Sequence, residues 1–287
     1  TFDEVINPDR GLAEEWRKKQ IRLKKDSEPS IFWLVFNMED PLLGACKELR
    51  QALCLAYDAE SGIDVLYNGR GVRPVNIIPR VFMAHAEGGA GPYCRFDIDA
   101  AREKLARARE CLAGKGLLED GEIPQIKFDM TGGAGEASAS RHADFVRQQF
   151  ARLGVEIKVV FNDWPTLQRK VHNKQVQMYT MGWHADYPDA ENFLQLFYSG
   201  NIDKGTNNSN YSNPVFDSLY ELVRVMPDTD ERTAMYARMT TILSEDCPVL
   251  LTIQPRRFRL IYEWFDNYKP HPIAYGYAKY YRLDTEL

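Results

Sequence analysis

The residue types that could do chemistry concentrate in one stretch, Met181-Gly182-Trp183-His184-Ala185-Asp186-Tyr187-Pro188-Asp189-Ala190-Glu191-Asn192-Phe193-Leu194. It follows an apolar run, Val176 to Met181, that reads as a strand. In an open α/β sheet, a polar cluster at the carboxyl end of a strand is where ligands sit. Asp186 could grip a cation there, because a desolvated carboxylate facing an ammonium group forms short charge-assisted hydrogen bonds. The same carboxylate could instead cap the strand end or the turn before Pro188. Trp183 and His184 flank Asp186 on opposite faces if the strand continues, so one of the two should face a ligand. Asp186 with His184 or Asp189 has the groups for acid–base work. As a metal ligand His184 has little support, since no His or Cys lies at a useful spacing from it.

Two further residues belong with this cluster. Trp164, in Asn162-Asp163-Trp164-Pro165, sits at a strand-to-helix turn. A large flat side chain there offers contact area without demanding one ligand shape, or it serves as a hydrophobic staple at the helix start. Arg141 is the cation nearest the loop Thr131-Gly132-Gly133-Ala134-Gly135, though it falls on the following helix. That loop could cradle an anion through its backbone N–H groups, but it lacks the Lys-Ser/Thr ending of a phosphate loop. There is no Gly-x-Ser-x-Gly, no His-Glu-x-x-His and no prominent Ser-His-Asp spacing. The expectation is a binding protein rather than an enzyme, with no metal and no cofactor.

Bulk properties narrow the partners. The chain has 287 residues, 44% of them hydrophobic, and a formal net charge of -5. A mildly acidic chain lacks the basic face that nucleic acid requires. No run approaches the roughly 18 apolar residues of a membrane span, and nothing reads as a signal peptide. Thr1 does not look like a natural start, so the missing signal weighs little. None of Cys46, Cys54, Cys94, Cys111 and Cys247 forms a Cys-x-x-Cys pair. Cys46 and Cys54 fall eight residues apart in a predicted helix, about 12 Å along its axis and too far to bridge. Free thiols are expected, and the compartment is left open.

The elements that must position these residues read as α/β. Gly11 to Gln20 suggests a helix and Arg22 to Glu28 a charged connector, so that Arg17 to Lys25 is an exposed basic run. Ile31 to Phe36 is a continuous apolar run, as expected of a buried strand. Leu42 to Tyr57 has a helical apolar face, and residues 62–96 show no clear period. Asp97 looks like an N-cap for the stripe Ile98, Ala101, Leu105, Ala108 and Leu112. Ile126 to Met130, Ser138 to Leu153 and Val155 to Val160 form strand, helix, strand, which predicts two parallel strands. A helix from Pro165 and a strand from Val176 lead into the polar cluster. Asn213-Pro214 starts a helix, and Asp228 with Glu231 suggests a capping box for the next. Pro248 to Ile253 and Phe258 to Tyr262 read as two strands. Arg256-Arg257-Phe258-Arg259 reads as a solvated or inter-lobe surface. The tyrosines at 275, 277, 280 and 281 read as an exposed aromatic patch.

Several short segments, in order, resemble one family, the extracytoplasmic solute-binding proteins of peptide and nickel ABC importers (family 5). Gly182-Trp183 with Asp186-Tyr187 and Asp189 resembles its Gly-Trp-x-x-Asp-Tyr-x-(Asp/Glu)-Pro signature, with Ala190 in place of the usual Pro. Phe36-Asn37-Met38, Lys47 to Leu53, Ala56-Tyr57-Asp58, Asn68-Gly69-Arg70-Gly71 with Ile78-Pro79, Tyr93 to Leu105, and Asn210-Tyr211-Ser212-Asn213 with Phe216-Asp217 resemble others.

The resemblance implies a periplasmic-binding-protein-like (class II) lobe, with a mixed, largely parallel sheet flanked by helices. It implies peptide or related small-solute binding between two lobes, with permease subunits as partners and a periplasmic or other extracytoplasmic location. The membrane would be met only through the transporter or a lipid anchor absent from this chain. A sensor or partner module reusing the fold, or a non-peptide solute such as an oligosaccharide or metal chelate, is the alternative. Members are about twice this long, so the chain looks like a C-terminal half. Residues 37–254 would be the ligand-binding lobe, 1–36 a remnant of the other lobe with a hinge strand, and 255–287 the return to it. Asp186 falls where peptide-binding members hold the ligand's α-ammonium group, and Trp164 matches a pocket-lining tryptophan of the dipeptide-binding member. That member's carboxylate-binding arginine has no counterpart in the 131–135 loop, which puts a strict dipeptide clamp in doubt.

Overall fold

A computed structural model describes residues 2–284 except 8, 83, 85–87, 134, 270–272 and 274–276. After two single-turn helices, α1 (Phe2–Val5) and α2 (Glu14–Arg17), come strands β1 (Ile21–Ser27) and β2 (Ser30–Phe36). Helices α3 (Lys47–Ala56) and α4 (Ala59–Tyr67), the short strand β3 (Gly71–Val72) and helix α5 (Ile98–Gly114) follow. The central unit is β4 (Ile126–Thr131), α6 (Ala137–Ala151), β5 (Ile157–Asn162), α7 (Trp164–His172) and β6 (Met178–His184). The short helix α8 (Glu191–Leu194), then α9 (Pro214–Val223), α10 (Asp230–Asp246) and β7 (Val249–Tyr262) complete the layers. Among the described residues no helix is long and apolar enough to cross a membrane.

The main sheet runs β1-β7-β2-β6-β4-β5, with β3 also on β7. It is mixed, as expected, but parallel pairing is confined to β4 with β5 and β4 with β6. The pairs made by β1, β2, β3 and β7 are all antiparallel, so the parallel share is smaller than the sequence suggested.

Helices cover both faces of the central strands, which is why β2 is apolar from Ile31 to Phe36. Successive side chains of a strand point to opposite faces. Leu34 and Phe36 accordingly join the core under α3, α5 and α6, while Ile31, Trp33 and Val35 join the one under α8, α9 and α10. Phe128 and Met130 of β4 meet Ala139, Val146 and Phe150 of α6 in the first core.

Several local signals hold. Asp97 accepts from Ala100 N at 3.0 Å, and Asn213 accepts from Val215 N at 3.0 Å and Phe216 N at 3.2 Å, each satisfying a free helix N–H. Others need correcting. The 11–20 helix shrinks to Glu14–Arg17, and Arg22 to Ser27 is the edge strand β1 rather than a connector. Asp26 pairs across the ladder with Arg259 at 3.2 Å, and Glu28, just past the strand, pairs with Arg257. The two strands expected at 248–262 are one, β7, whose first part pairs with β2 and second part with β1. Thr229, not Asp228, caps α10 through Arg232 N. The start of the 62–96 stretch, expected to be irregular, is helical: residues 62–67 belong to α4. Tyr280 is exposed, but Tyr281 packs on Phe265 at 4.8 Å between ring centres; Tyr275 lies outside the described residues.

The cysteine expectation also needs correction. Cys46 and Cys111 form a disulfide, with Cα atoms 6.3 Å apart. Cys46 precedes α3 and Cys111 lies in the last turn of α5, and these two helices pack together, so residues 65 apart in sequence become neighbours. Cys54, Cys94 and Cys247 are free.

Candidate ligand-binding site

Strand β6 carries the site because it is paired along its whole length on one side only. Its pairing with β2 runs from Met178 to His184, whereas its pairing with β4 stops after Asp129↔Tyr179. Backbone polar groups alternate sides along a strand. Gln177 O accepts from Asn37 N at 2.9 Å and Ala185 N donates to Pro29 O at 2.8 Å, so odd-numbered residues of β6 face β2. The C=O of Thr180 and the N–H and C=O groups of Gly182 and His184 therefore face the side that β4 has left, while the Thr180 N–H makes the last bond to β4. An open run of this kind can accept an added strand.

A cavity opens on each face of the sheet beside this edge. On the α6 side a groove of about 460 Å³ is lined by Phe32, Met130, Thr131, Gly132, Arg141 and Thr180, among others. Glu136 and Arg141, from the start of α6, bring opposite charges to its wall, and both are exposed. His142 lines it too, and burial holds its imidazole below the ordinary value, favouring the neutral ring. On the other face a pocket of about 270 Å³ is lined by Trp164, Leu167, Val171, Tyr179, Met181 and Asn208. Trp164 is 50% exposed, so half of its surface is free for contact. Asp163 caps α7 through Thr166 N at 2.8 Å and so fixes the turn that presents Trp164.

Gly182 lies between these features for a steric reason. A Cβ on it would fall 2.3 Å from Cδ1 and 2.9 Å from Cγ of Phe32, its cross-strand partner. The Phe32 ring thus covers the glycine and forms one wall of the groove.

Beyond the strand end the loop is held by a polar network. Asp186 is exposed; its Oδ2 accepts from Asn192 Nδ2 at 3.1 Å, and its N–H donates to Asn192 Oδ1 at 3.0 Å. The Trp183 indole N–H donates to the same Oδ1 at 2.9 Å. Asp189 accepts from Arg232 Nη1 at 2.7 Å and from the Tyr236 hydroxyl at 2.7 Å, tying the loop to α10. Glu191 accepts from the hydroxyls of Tyr187 and Tyr220. Burial first, then the Glu191 contact, push the Tyr187 hydroxyl up to about 12. His184 is exposed, and its Nδ1 hydrogen-bonds the Ser30 hydroxyl at 2.7 Å.

Asp186, Trp183 and His184 thus gather at the end of one strand, with Trp164 and Arg141 lining cavities on opposite faces of the sheet. The Asp186 side chain engages the loop through Asn192, and the residue stays exposed. Among the described residues no three His, Cys, Asp or Glu side chains are arranged to hold a metal ion. Sequence reasoning missed Asn192 and Phe32. Asn192 stands in the polar stretch with no role of its own, and Phe32 reads as one apolar residue in an apolar run. Only the glycine opposite Phe32 could have hinted at a covering ring.

Residues 4–205 match the family model described as bacterial extracellular solute-binding proteins, family 5, middle. The chain is 26% identical over 234 residues to di/tripeptide-binding protein 3 of Pseudomonas aeruginosa, covering 81% of this chain and 42% of that protein. It is 26% identical over 234 residues to the oligopeptide-binding protein OppA of Bacillus subtilis, covering 79% of this chain and 41% of that one. Among solved structures, the Helicobacter pylori periplasmic binding protein DppA in complex with the peptide STSA matches with a TM-score of 0.76 at 21% identity, over 95% of this chain and 51% of that one. At that identity the likeness concerns the fold. The chain spans about half the length of the curated relatives it matches.

Proposed function

We propose, because this chain belongs to the bacterial extracellular solute-binding proteins of family 5, that it supplies one wall of a peptide-binding cleft for an ABC importer. The observation that carries this reading is the open edge of β6, with Asp186 two residues beyond its end. An extended peptide laid along Thr180, Gly182 and His184 would exchange main-chain hydrogen bonds with them, which gives affinity without regard to sequence. Alternate side chains of such a peptide point to opposite faces. They would enter the groove beside Arg141 and the pocket beside Trp164, the two cavities that flank the edge. Asp186, at the strand end, would take the peptide's α-ammonium group through its exposed carboxylate.

Residues 37–254 form the ligand-binding lobe in this reading, with β2 as the hinge strand threaded through its sheet, and the rest of 1–36 together with 255–287 belong to a second lobe that closes on the ligand. Permease subunits of the importer are the macromolecular partner. The Cys46–Cys111 disulfide supports a location outside the cytoplasm, where such bonds persist.

Mass spectrometry of small molecules released from the complete, cell-purified protein tests the proposal. A ladder of peptides is expected. A sugar or a metal chelate as the released species would refute the peptide reading. In calorimetry, Asp186→Asn should weaken peptides with a free N-terminus by about a hundred-fold or more, the cost of leaving a buried charge unpaired. Unchanged affinity would remove Asp186 from the site.

A further inference from the structure

Asn192 is fully buried, at 0% exposure, in the short helix α8, and its amide contacts two of the groups singled out for ligand contact. Its Oδ1 accepts from both Trp183 Nε1 and Asp186 N, filling the acceptor's two lone pairs. Its Nδ2 donates to Asp186 Oδ2 at 3.1 Å. The reverse amide orientation would face a donor with two donors and a carboxylate with an acceptor, so these partners fix the orientation. Asn192 is itself held from behind. Its N–H donates to Asp189 O at 3.2 Å, and Asp189 is clamped by Arg232 and Tyr236 of α10.

We propose that Asn192 is the positioning residue of the ligand-cation site: it occupies Oδ2 of Asp186, leaves Oδ1 for the ligand's ammonium group, and locks the Trp183 indole in the same step. This inference rests on the peptide-binding reading above and adds to it the residue that sets the preference for a charged amino terminus. Oδ2 already has a neutral donor, so Oδ1 is the oxygen presented to the ligand. Asn192→Asp is nearly isosteric. It keeps the acceptor for Trp183 and for Asp186 N, but puts a second carboxylate where the donor to Oδ2 had been. Two carboxylates in contact favour shared protonation, and the partner offered to an ammonium group becomes dependent on pH.

The test uses the complete protein and a pool of synthetic peptides of two to nine residues, each present with a free and with an acetylated amino terminus. Retained peptides are quantified by mass spectrometry at several pH values. The unaltered protein should retain the free form. Asn192→Asp should lower the free-to-acetylated ratio about ten- to a hundred-fold, as loss of a hydrogen bond to a charged group does, and should make the ratio vary between pH 5 and 8. Asn192→Ser, which also lacks the amide donor, should lower the ratio without that new pH dependence, and it carries the test if Asn192→Asp fails to fold. Asp186→Asn is run beside them. If Asp186→Asn collapses the ratio while both Asn192 variants keep it, the positioning role is wrong and the peptide site stands. If Asp186→Asn leaves the ratio unchanged, or the unaltered protein retains both forms equally, the site reading fails and this inference falls with it.

Discussion

Replacing Gly182 by Ala tests the geometry of the cleft edge most directly. The added Cβ would lie 2.3, 2.6 and 2.9 Å from Cδ1, Cε1 and Cγ of Phe32, all closer than real Cβ contacts allow. Because Cγ is among them, flexing the ring tip cannot relieve the clash, and the ring must change rotamer. The backbone cannot retreat either, since Gly182 sits within the β2–β6 ladder. The expected cost is about 1–3 kcal/mol, the usual range for overpacking. Phe32 is 45% exposed, so Phe32→Ala should cost about 2 kcal/mol, near half the loss for a fully buried ring. With the ring gone, Gly182→Ala should become neutral or slightly stabilising, because alanine loses less backbone entropy than glycine on folding. The cycle of four proteins, measured by urea unfolding, should give a coupling energy of about 1–3 kcal/mol. Additivity within about 0.5 kcal/mol would refute the reasoning. So would a Gly182→Ala protein as stable as its parent.

Three further outcomes are expected. Asp129 is buried (its side chain 4% exposed) and paired with Lys170 Nζ at 2.8 Å, with Asn162 Nδ2 as a second donor at 2.9 Å. Lys170→Met should cost about 1–3 kcal/mol, below the full loss for a buried pair because one donor remains, and adding Asp129→Asn should recover much of it; a double variant no better than the single one refutes the pairing argument. Reduction of Cys46–Cys111, which spans 65 residues, should lower unfolding stability by up to about 4 kcal/mol, and an unchanged urea midpoint in reductant would contradict that bond. Burial raises the hydroxyls of Tyr57, Tyr179 and Tyr211 above the model-compound value of 10.0, and Tyr187 is pushed up to about 12. Above pH 10 the unfolded chain therefore releases tyrosine protons that the folded chain keeps, so stability present below pH 10 should fall as pH rises; a flat urea midpoint between pH 9 and 11 would contradict this.

The sequence by itself determined the elements whose signals are local. Alternation in Ile126 to Met130, the caps at Asp97 and Asn213, and the continuous apolar run of β2 depend on contacts within a few residues or on burial of a whole strand. It also located the polar cluster after β6, through residue types and family resemblance. The short helix and the charged segment near the start misled because β1 owes its existence to a partner more than two hundred residues away, where Ile21 pairs with Tyr262. Local propensity carries little of such an energy.

Tertiary structure alone decided what makes the cluster a site. β4 leaves β6 after Tyr179, and only sheet register reveals the freed edge of Thr180, Gly182 and His184. The Cys46–Cys111 bond exists because α3 packs on α5, a contact that cysteine spacing does not encode. Asn192 gained its position for a similar reason. Its amide matters because a turn folds α8 back against the end of β6, bringing a buried donor and acceptor to a carboxylate and an indole that the chain alone lists as separate residues.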